Sequence, residues 1–417
     1  VSQTTEQFFK KLVEKPSEDV LISDLNSEVD LNYQFEGVTP FVVAILQGYG
    51  PPLIKKMLCL GADPFICMDE TNSLEIASFS HNDPEVIKIL AKEGFDKQAL
   101  TNALFLAAAK NSNPDVILAL ADAGADVTAE INDTNLLMTA AANNENPEIL
   151  KRIIEIDIAY QEIWDCPDED TDQIQFLAIT SALQNPNPEI LFTLCEAGFD
   201  INLLLNDENI DVLKELSQKI PDFFSRVVKA GNILLEVIPD YRVPLTHAAM
   251  FCSDPWLLMQ LIQSGADPDQ ESGRASLPLF AAIYNIHGND VRLKMVQFLL
   301  ENGASVNLFS SNGISTLFFA LLSNNRTSEL LELLLQSGAN VNAIAGNGKS
   351  ILHSAVEQRL DKNFIKRLLS AGANMKLADT EGVTPMHMAI AYERPSIMKL
   401  FLDSGFRFDE NFCEFGT

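Results

Sequence analysis

The sequence predicts an all-α solenoid of stacked helix-turn-helix units with projecting β-turn or hairpin fingers. Three observations carry this: a Gly recurring at near-constant spacing, a Pro ten residues before many of those glycines, and a second helix-opening segment ahead of the pair. At 417 residues the chain is long for one ordinary compact domain and calls for several domains or a repeat array.

The recurring glycines are Gly61, Gly94, Gly124, Gly198, Gly231, Gly265, Gly303, Gly338, Gly372 and Gly405, each followed by a small or aromatic residue and then usually Asp, Asn or Ser. Several intervals are 33 or 34 residues, which marks internal repeats. The prolines are Pro84, Pro114, Pro188, Pro221, Pro255 and Pro395, with Pro147 in the same phase before Asp157. A constant step from Pro to Gly fixes a helix of constant length. In Asp83-Pro84-Glu85, Asn113-Pro114-Asp115 and Asn187-Pro188-Glu189 the first residue offers an N-cap oxygen, Pro suits the first turn, and the carboxylate faces the positive helix end. Gly then takes the left-handed conformation that ends the helix. Between them, Leu330, Leu333 and Leu334 show the spacing of one buried stripe.

An earlier helix in each unit is opened by Thr39-Pro40-Phe41-Val42-Val43-Ala44, Ser350-Ile351-Leu352-His353-Ser354-Ala355 and Thr384-Pro385-Met386-His387-Met388-Ala389. These segments resemble the Thr-Pro-Leu-His-x-Ala signature of ankyrin repeats, and Gly338-Ala339-Asn340-Val341-Asn342 resembles the Gly-Ala-Asp-Val-Asn that closes them. The resemblance covers nearly the whole chain: an N-terminal helical capping unit over 1–36, then a continuous array of about eleven repeats over 37–417, degenerate at about 150–240. Asp157 stands where Gly is expected, residues 201–220 lack the signature segment, and Asn285-Ile286-His287-Gly288-Asn289 lengthens one turn. No repeat buries its apolar face alone, so the units stack as one elongated domain.

Lys plus Arg number 29 against 58 Asp plus Glu, a formal charge of −29 that repels nucleic acid and anionic membranes and favours a partner with a basic surface, unless it serves only to keep the array in solution. No uninterrupted apolar run approaches the roughly 18 residues of a membrane span, so the chain reads as soluble and not membrane-inserted. It opens Val1-Ser2-Gln3-Thr4-Thr5-Glu6, without the basic and apolar regions of a secretory signal and without an initiator Met, as a trimmed or truncated start would. The six cysteines form no CxxC pair; the expectation is buried packing residues in a reducing cytosol.

Four motifs invite a chemical reading. Ala343-Ile344-Ala345-Gly346-Asn347-Gly348-Lys349-Ser350 fits a relaxed phosphate loop, but Ser350 holds the Thr slot of the next repeat, so the stretch reads as a finger with turn glycines. His353 and His387 fall in the signature's His slot, where the resemblance implies a structural hydrogen bond to nearby backbone. His81, His247 and His287 have no Cys or carboxylate at metal-ligand spacing. The acidic run Asp165-Cys166-Pro167-Asp168-Glu169-Asp170-Thr171-Asp172 lacks the Gly and terminal Glu of a calcium loop and reads as a solvated loop or a dock for a basic segment.

What the resemblance implies is a noncatalytic protein-interaction module or scaffold, monomeric and cytoplasmic, that binds a partner protein through finger tips and the concave inner-helix face. The pattern places Met68, Asp69, Asn132, Asp133, Arg274, Phe309, Ile344, Lys349 and Thr380 at or near finger tips; Trp164, Asp168, Glu169 and Asp170 join them through the acidic run. Apolar tips such as Met68, Phe309 and Ile344 belong to no helix stripe and suit an interface. No catalytic residue, metal ligand or cofactor is predicted. Abundant Asn and Phe, with Lys over Arg, fits an AT-rich genome and an effector that an intracellular bacterium injects into host cytosol. The alternatives are the targeting arm of a larger enzyme, or an enzyme with a site hidden in the irregular 157–243 region.

Overall fold

The structure, a computed structural model, describes residues 3–156, 169–237, 242–273, 276–345 and 348–408. Its contacts group into two compact units, Val1–Phe199 and Asp200–Thr417.

The first unit holds helices α1 (Gln3–Glu14), α2 (Glu18–Asp24), α3 (Pro40–Leu46), α4 (Pro51–Cys59), α5 (Ser73–Ser80), α6 (Pro84–Ala91), α7 (Lys97–Lys110), α8 (Pro114–Asp122), α9 (Leu136–Asn143), α10 (Pro147–Ile156), α11 (Glu169–Leu183) and α12 (Glu189–Glu196), with strands β1 (Glu130–Ile131) and β2 (Thr134–Asn135). The first helices of successive repeats, α5, α7, α9 and α11, pack on one another, as do the second helices α6, α8, α10 and α12. Likewise α1 packs on α3 and α2 on α4. Composition follows this geometry. In α3 every residue from Pro40 to Ile45 is buried, so the helix is apolar all round, whereas α10 buries only Ile149, Leu150 and Ile153 and keeps charge outside.

The N-caps form as the sequence predicts. Asp83, Asn113, Asn146 and Asn187 accept from the backbone N–H two residues on, at 2.9, 3.0, 3.1 and 3.0 Å; each such cap is worth about 1 kcal/mol. Two residues upstream lies a second set of polar side chains, and these are buried. Asn111 Nδ2 donates to the carbonyls of Ser78 and His81 (2.8 and 3.0 Å), Asn144 to Ala108 and Asn111 (3.0 and 2.8 Å), and Asn185 to Ala141 and Asn144 (2.9 and 2.8 Å). His81 begins the series with Nε2 2.9 Å from the Tyr49 carbonyl. Each rung satisfies carbonyls at the end of the preceding repeat's first helix, where the helix leaves its own carbonyls without partners.

The second unit opens with short 3-10 turns, Ile201–Leu204 and Asp207–Asn209, followed by α13 (Ile210–Lys219), α14 (Phe223–Val237), α15 (Pro244–Phe251), α16 (Pro255–Gln263), α17 (Pro278–Ile283), α18 (Asn289–Glu301), α19 (Thr316–Leu322), α20 (Ser328–Gln336), α21 (Ile351–Glu357), α22 (Lys362–Ser370), α23 (Pro385–Ala391) and α24 (Pro395–Asp403). First helices again stack as α15, α17, α19, α21 and α23. The five residues between α17 and α18 form the lengthened turn expected there, with Asn285 Nδ2 on the carbonyls of Ala249 and Cys252 (2.9 and 2.8 Å).

Nine of the ten recurring glycines have φ between +88 and +102°. Gly231 departs from the expectation. It lies inside α14, and a Cβ there would stand 2.2 Å from Pro244 Cδ, so this glycine permits close approach of α14 to α15 and ends no helix. Pro221 correspondingly precedes Phe223, the first residue of α14, by two positions. Cysteine burial is also mixed: Cys195 and Cys252 are buried, but Cys59 and Cys67 are exposed. No helix among the described residues is long and apolar enough to cross a membrane.

Candidate interaction surface

Between a second helix and the next first helix the chain projects as a finger. Among the described residues of the first unit the fingers turn on two residues. Phe35 pairs with Val38 around Glu36-Gly37, Met68 with Thr71 around Asp69-Glu70, and β1 with β2 around Asn132-Asp133. Asp69, Glu70, Asn132 and Asp133 have φ of 50, 68, 52 and 58°, the left-handed backbone of a tight two-residue hairpin. Asp69, Asn132 and Asp133 are exposed at the tips, while Met68 sits half-buried in the bridge. No finger precedes α7. The helix begins at Lys97, three residues past Gly94, and runs for 14 residues over the stretch that would have formed the hairpin.

The second unit's fingers are wider. Phe309 pairs with Ser315 and Ile344 with Ser350; inside them Ser310 N–H donates to the Ile314 carbonyl (3.0 Å) and Ala345 N–H to the Lys349 carbonyl (2.9 Å). Asp379 and Val383 repeat the pattern at 2.9 Å. Phe309 and Ile344 are 50% and 53% exposed, so each finger presents one apolar side chain to solvent. Thr380 is exposed and close to the neighbouring finger: a Cβ on Gly348 would lie 2.8 Å from its N atom. Lys349 is engaged, with Nζ 2.9 and 3.0 Å from the two carboxylate oxygens of Glu357.

His353 ties one finger to the next. Its Nδ1 accepts from Ser350 N–H at 3.0 Å, which leaves the proton on Nε2 to donate to the Val383 carbonyl at 2.8 Å. Burial lowers its pKa below the ordinary histidine value, so the ring stays neutral in this role. His387 makes the same N-cap contact to Thr384 N–H, at 3.0 Å.

The structure thus brings Ile344, Lys349 and Thr380 to adjacent fingers and sets Met68-Asp69 and Asn132-Asp133 apart, on either side of α7. Trp164, Asp168 and Arg274 lie outside the described residues, and Glu169 and Asp170 begin α11. Among the described residues no group of three or more His, Cys, Asp or Glu is placed to hold a metal ion.

One concavity has no counterpart among the predicted tips. A groove of about 850 Å³ runs between α1, the first finger and α3, lined by Phe9, Val13, Tyr33, Phe35 and Leu46, with Glu6, Lys10, Glu14 and Glu36 among its charged residues. Phe35 packs on Phe9 and Tyr33 with ring centroids at 4.2 and 4.8 Å. The sequence signal was a doubled stripe: Thr5, Phe8 and Leu12 of α1 are buried, and Phe9 and Val13 form a second apolar row beside them.

Stacked helix pairs, capped at the first turn and joined by projecting hairpins, define the class: a helical repeat protein. The family model for ankyrin repeats, in three copies, matches residues 245–345 and 322–411. An ankyrin repeat protein of fowlpox virus (strain NVSL) is 34% identical over 131 residues, 31% of this chain and 84% of that protein. The chain belongs to the ankyrin-repeat family.

Proposed function

We propose that this chain is a noncatalytic module that binds a partner protein through its finger tips and the inner-helix face beside them. The observation that carries this reading is the pair of exposed apolar tips, Phe309 and Ile344, on fingers braced by backbone bridges. Apolar side chains held out on a rigid hairpin bury surface against a partner without a large ordering cost. Family membership supports the same reading, since ankyrin repeats generally mediate protein–protein interaction. About eleven repeats and a capping unit over 1–36 remain part of this proposal.

Charge supports a basic partner. Val1–Phe199 carries 11 Lys plus Arg against 33 Asp plus Glu, a net −22, whereas Asp200–Thr417 carries 18 against 25, a net −7. A field this one-sided speeds encounter with a cationic surface and weakens with salt. Residue usage supports, as part of the same proposal, an effector acting in a host cytosol.

Affinity capture with quantitative mass spectrometry tests the reading. The wild-type chain is expected to retain a discrete protein at physiological salt, and Phe309→Ala with Ile344→Asp to reduce its recovery at least ten-fold with helix content unchanged. Equal recovery by wild type and variant removes the proposed face.

A further inference from the structure

The geometry points to the groove between α1, the first finger and α3 as a docking site for a basic amphipathic helix of a partner protein. This rests on the interaction-module reading but names a different surface from the Phe309 and Ile344 tips. The floor is apolar and open: Val13 is 54% and Leu46 42% exposed, beside Phe9, Tyr33 and Phe35. Aromatic and aliphatic side chains gathered in a concavity of this size suit the i, i+3, i+4, i+7 face of a helix.

The charged residues of the groove select the partner's polar flank. Of Glu6, Lys10, Glu14 and Glu36, Lys10 is spent on Glu6, with Nζ 2.8 Å from its carboxylate. Glu14 and Glu36 enter no ion pair among the described residues and line the groove beside Tyr33, Phe35 and Leu46. The groove is therefore net negative within a unit of net −22. Lys and Arg flanking an apolar face complement it, and an acidic helix is repelled. The same charge disfavours a second copy of this chain, whose corresponding face is equally acidic.

The test uses the full chain and a fluorescein-labelled model peptide of about 15 residues, long enough to span about 22 Å as a helix. Its Leu residues occupy one helical face and its Lys residues flank it. Fluorescence anisotropy at physiological salt is expected to show saturable binding that a scrambled peptide of the same composition lacks. Val13→Asn with Leu46→Asn, and separately Glu14→Lys with Glu36→Lys, are each expected to weaken binding at least ten-fold. All four side chains are exposed, so thermal melting should be unchanged. Ile344→Asp is expected to leave the affinity within two-fold.

Equal binding of the scrambled peptide overturns the proposal, as does indifference to both groove variants. Loss of binding in Ile344→Asp with the groove variants unaffected places the peptide on the fingers, overturning this site while leaving the interaction-module reading intact. A dimer in sedimentation equilibrium that Val13→Asn with Leu46→Asn disperses gives the groove to a second copy and also overturns it.

Discussion

The fingers of the two units solve one problem in different ways. Among the described residues of Val1–Phe199 they turn on two residues, mostly without glycine, as at Asp69-Glu70 and Asn132-Asp133. In Asp200–Thr417 they are wider and end on a left-handed glycine, at Gly313, Gly348 and Gly382. Cross-links between repeats differ in degree. The buried ladder away from the fingers runs through His81, Asn111, Asn144 and Asn185 in the first unit and recurs at Asn285 in the second, and Asn32 Nδ2 already ties one first-unit repeat to the Gly61 carbonyl (2.9 Å). The last repeats of the second unit carry links on both sides: away from the fingers Arg394 Nη2 donates to the Leu360 carbonyl (2.6 Å), and further links lie at the finger side. Asn307 Nδ2 reaches the Gly338 carbonyl (3.0 Å), Asn342 Nδ2 the Gly372 carbonyl (3.1 Å), Ser311 N–H the Glu271 carboxylate (2.7 Å), and His353 the finger after its own. A partner of the second unit thus meets tips already ordered by their neighbours.

The comparison breaks most visibly at the ladder. Asn144→Ala removes two donors and the acceptor for Asn146 N–H (2.9 Å), leaving buried carbonyls unpaired, and is expected to cost about 2–4 kcal/mol in urea denaturation. Asn342→Ala, whose partners are solvated, should cost less than about 1 kcal/mol.

Acid separates the units next. Burial, with Arg242 adding repulsion, lowers His247 to about 4 from the ordinary 6.5. Between those values the unfolded chain takes up a proton that the folded chain refuses. Stability from His247 is therefore full above pH 6.5 and falls as pH drops toward 4, by on the order of 2–3 kcal/mol. Hydrogen exchange should show the loss in amides of Asp200–Thr417, and His247→Leu should flatten it; an equal pH slope in wild type and variant refutes this.

Gly348→Val probes the second unit's glycine fingers. At φ +77° any side chain is strained, and here its Cβ also meets Thr380, so a loss of about 2 kcal/mol is expected in the urea midpoint. The smallest effect runs the other way. Glu70→Gly creates Asp-Gly at a turn that favours it and should raise stability by about 0.5–1 kcal/mol. A loss there would mean the first unit's turns need their side chains.

Much of the fold was legible because Gly, Pro and cap residues each answer a local demand that repeats with the period. The tips at Asp69 and Asn132-Asp133 followed from that phase. Gly231 misled because a glycine kept for close approach is written like one kept for a left-handed φ; only the position of Pro244 distinguishes them. The ladder was hidden because an Asn two residues before a cap looks like any polar turn residue until the preceding repeat brings its carbonyls near. Phase places Lys349 near a tip, but its pairing with Glu357, eight residues on, forms only once α21 folds against the finger. The groove needed α1 and the first finger together, and neither alone encodes a concavity.

The helix α7, by occupying the place of a finger, turns the first unit into a ruler. Asp69-Glu70 precedes α5 and Asn132-Asp133 precedes α9, with α7 packed between. Two helix-to-helix steps amount to roughly 16–20 Å. A segment that grips both tips at once must carry its two gripping groups about 11–13 residues apart if helical, or about five or six if extended. Nothing shorter bridges the gap, so the length of a partner's motif, as much as its chemistry, decides whether it engages one tip or both.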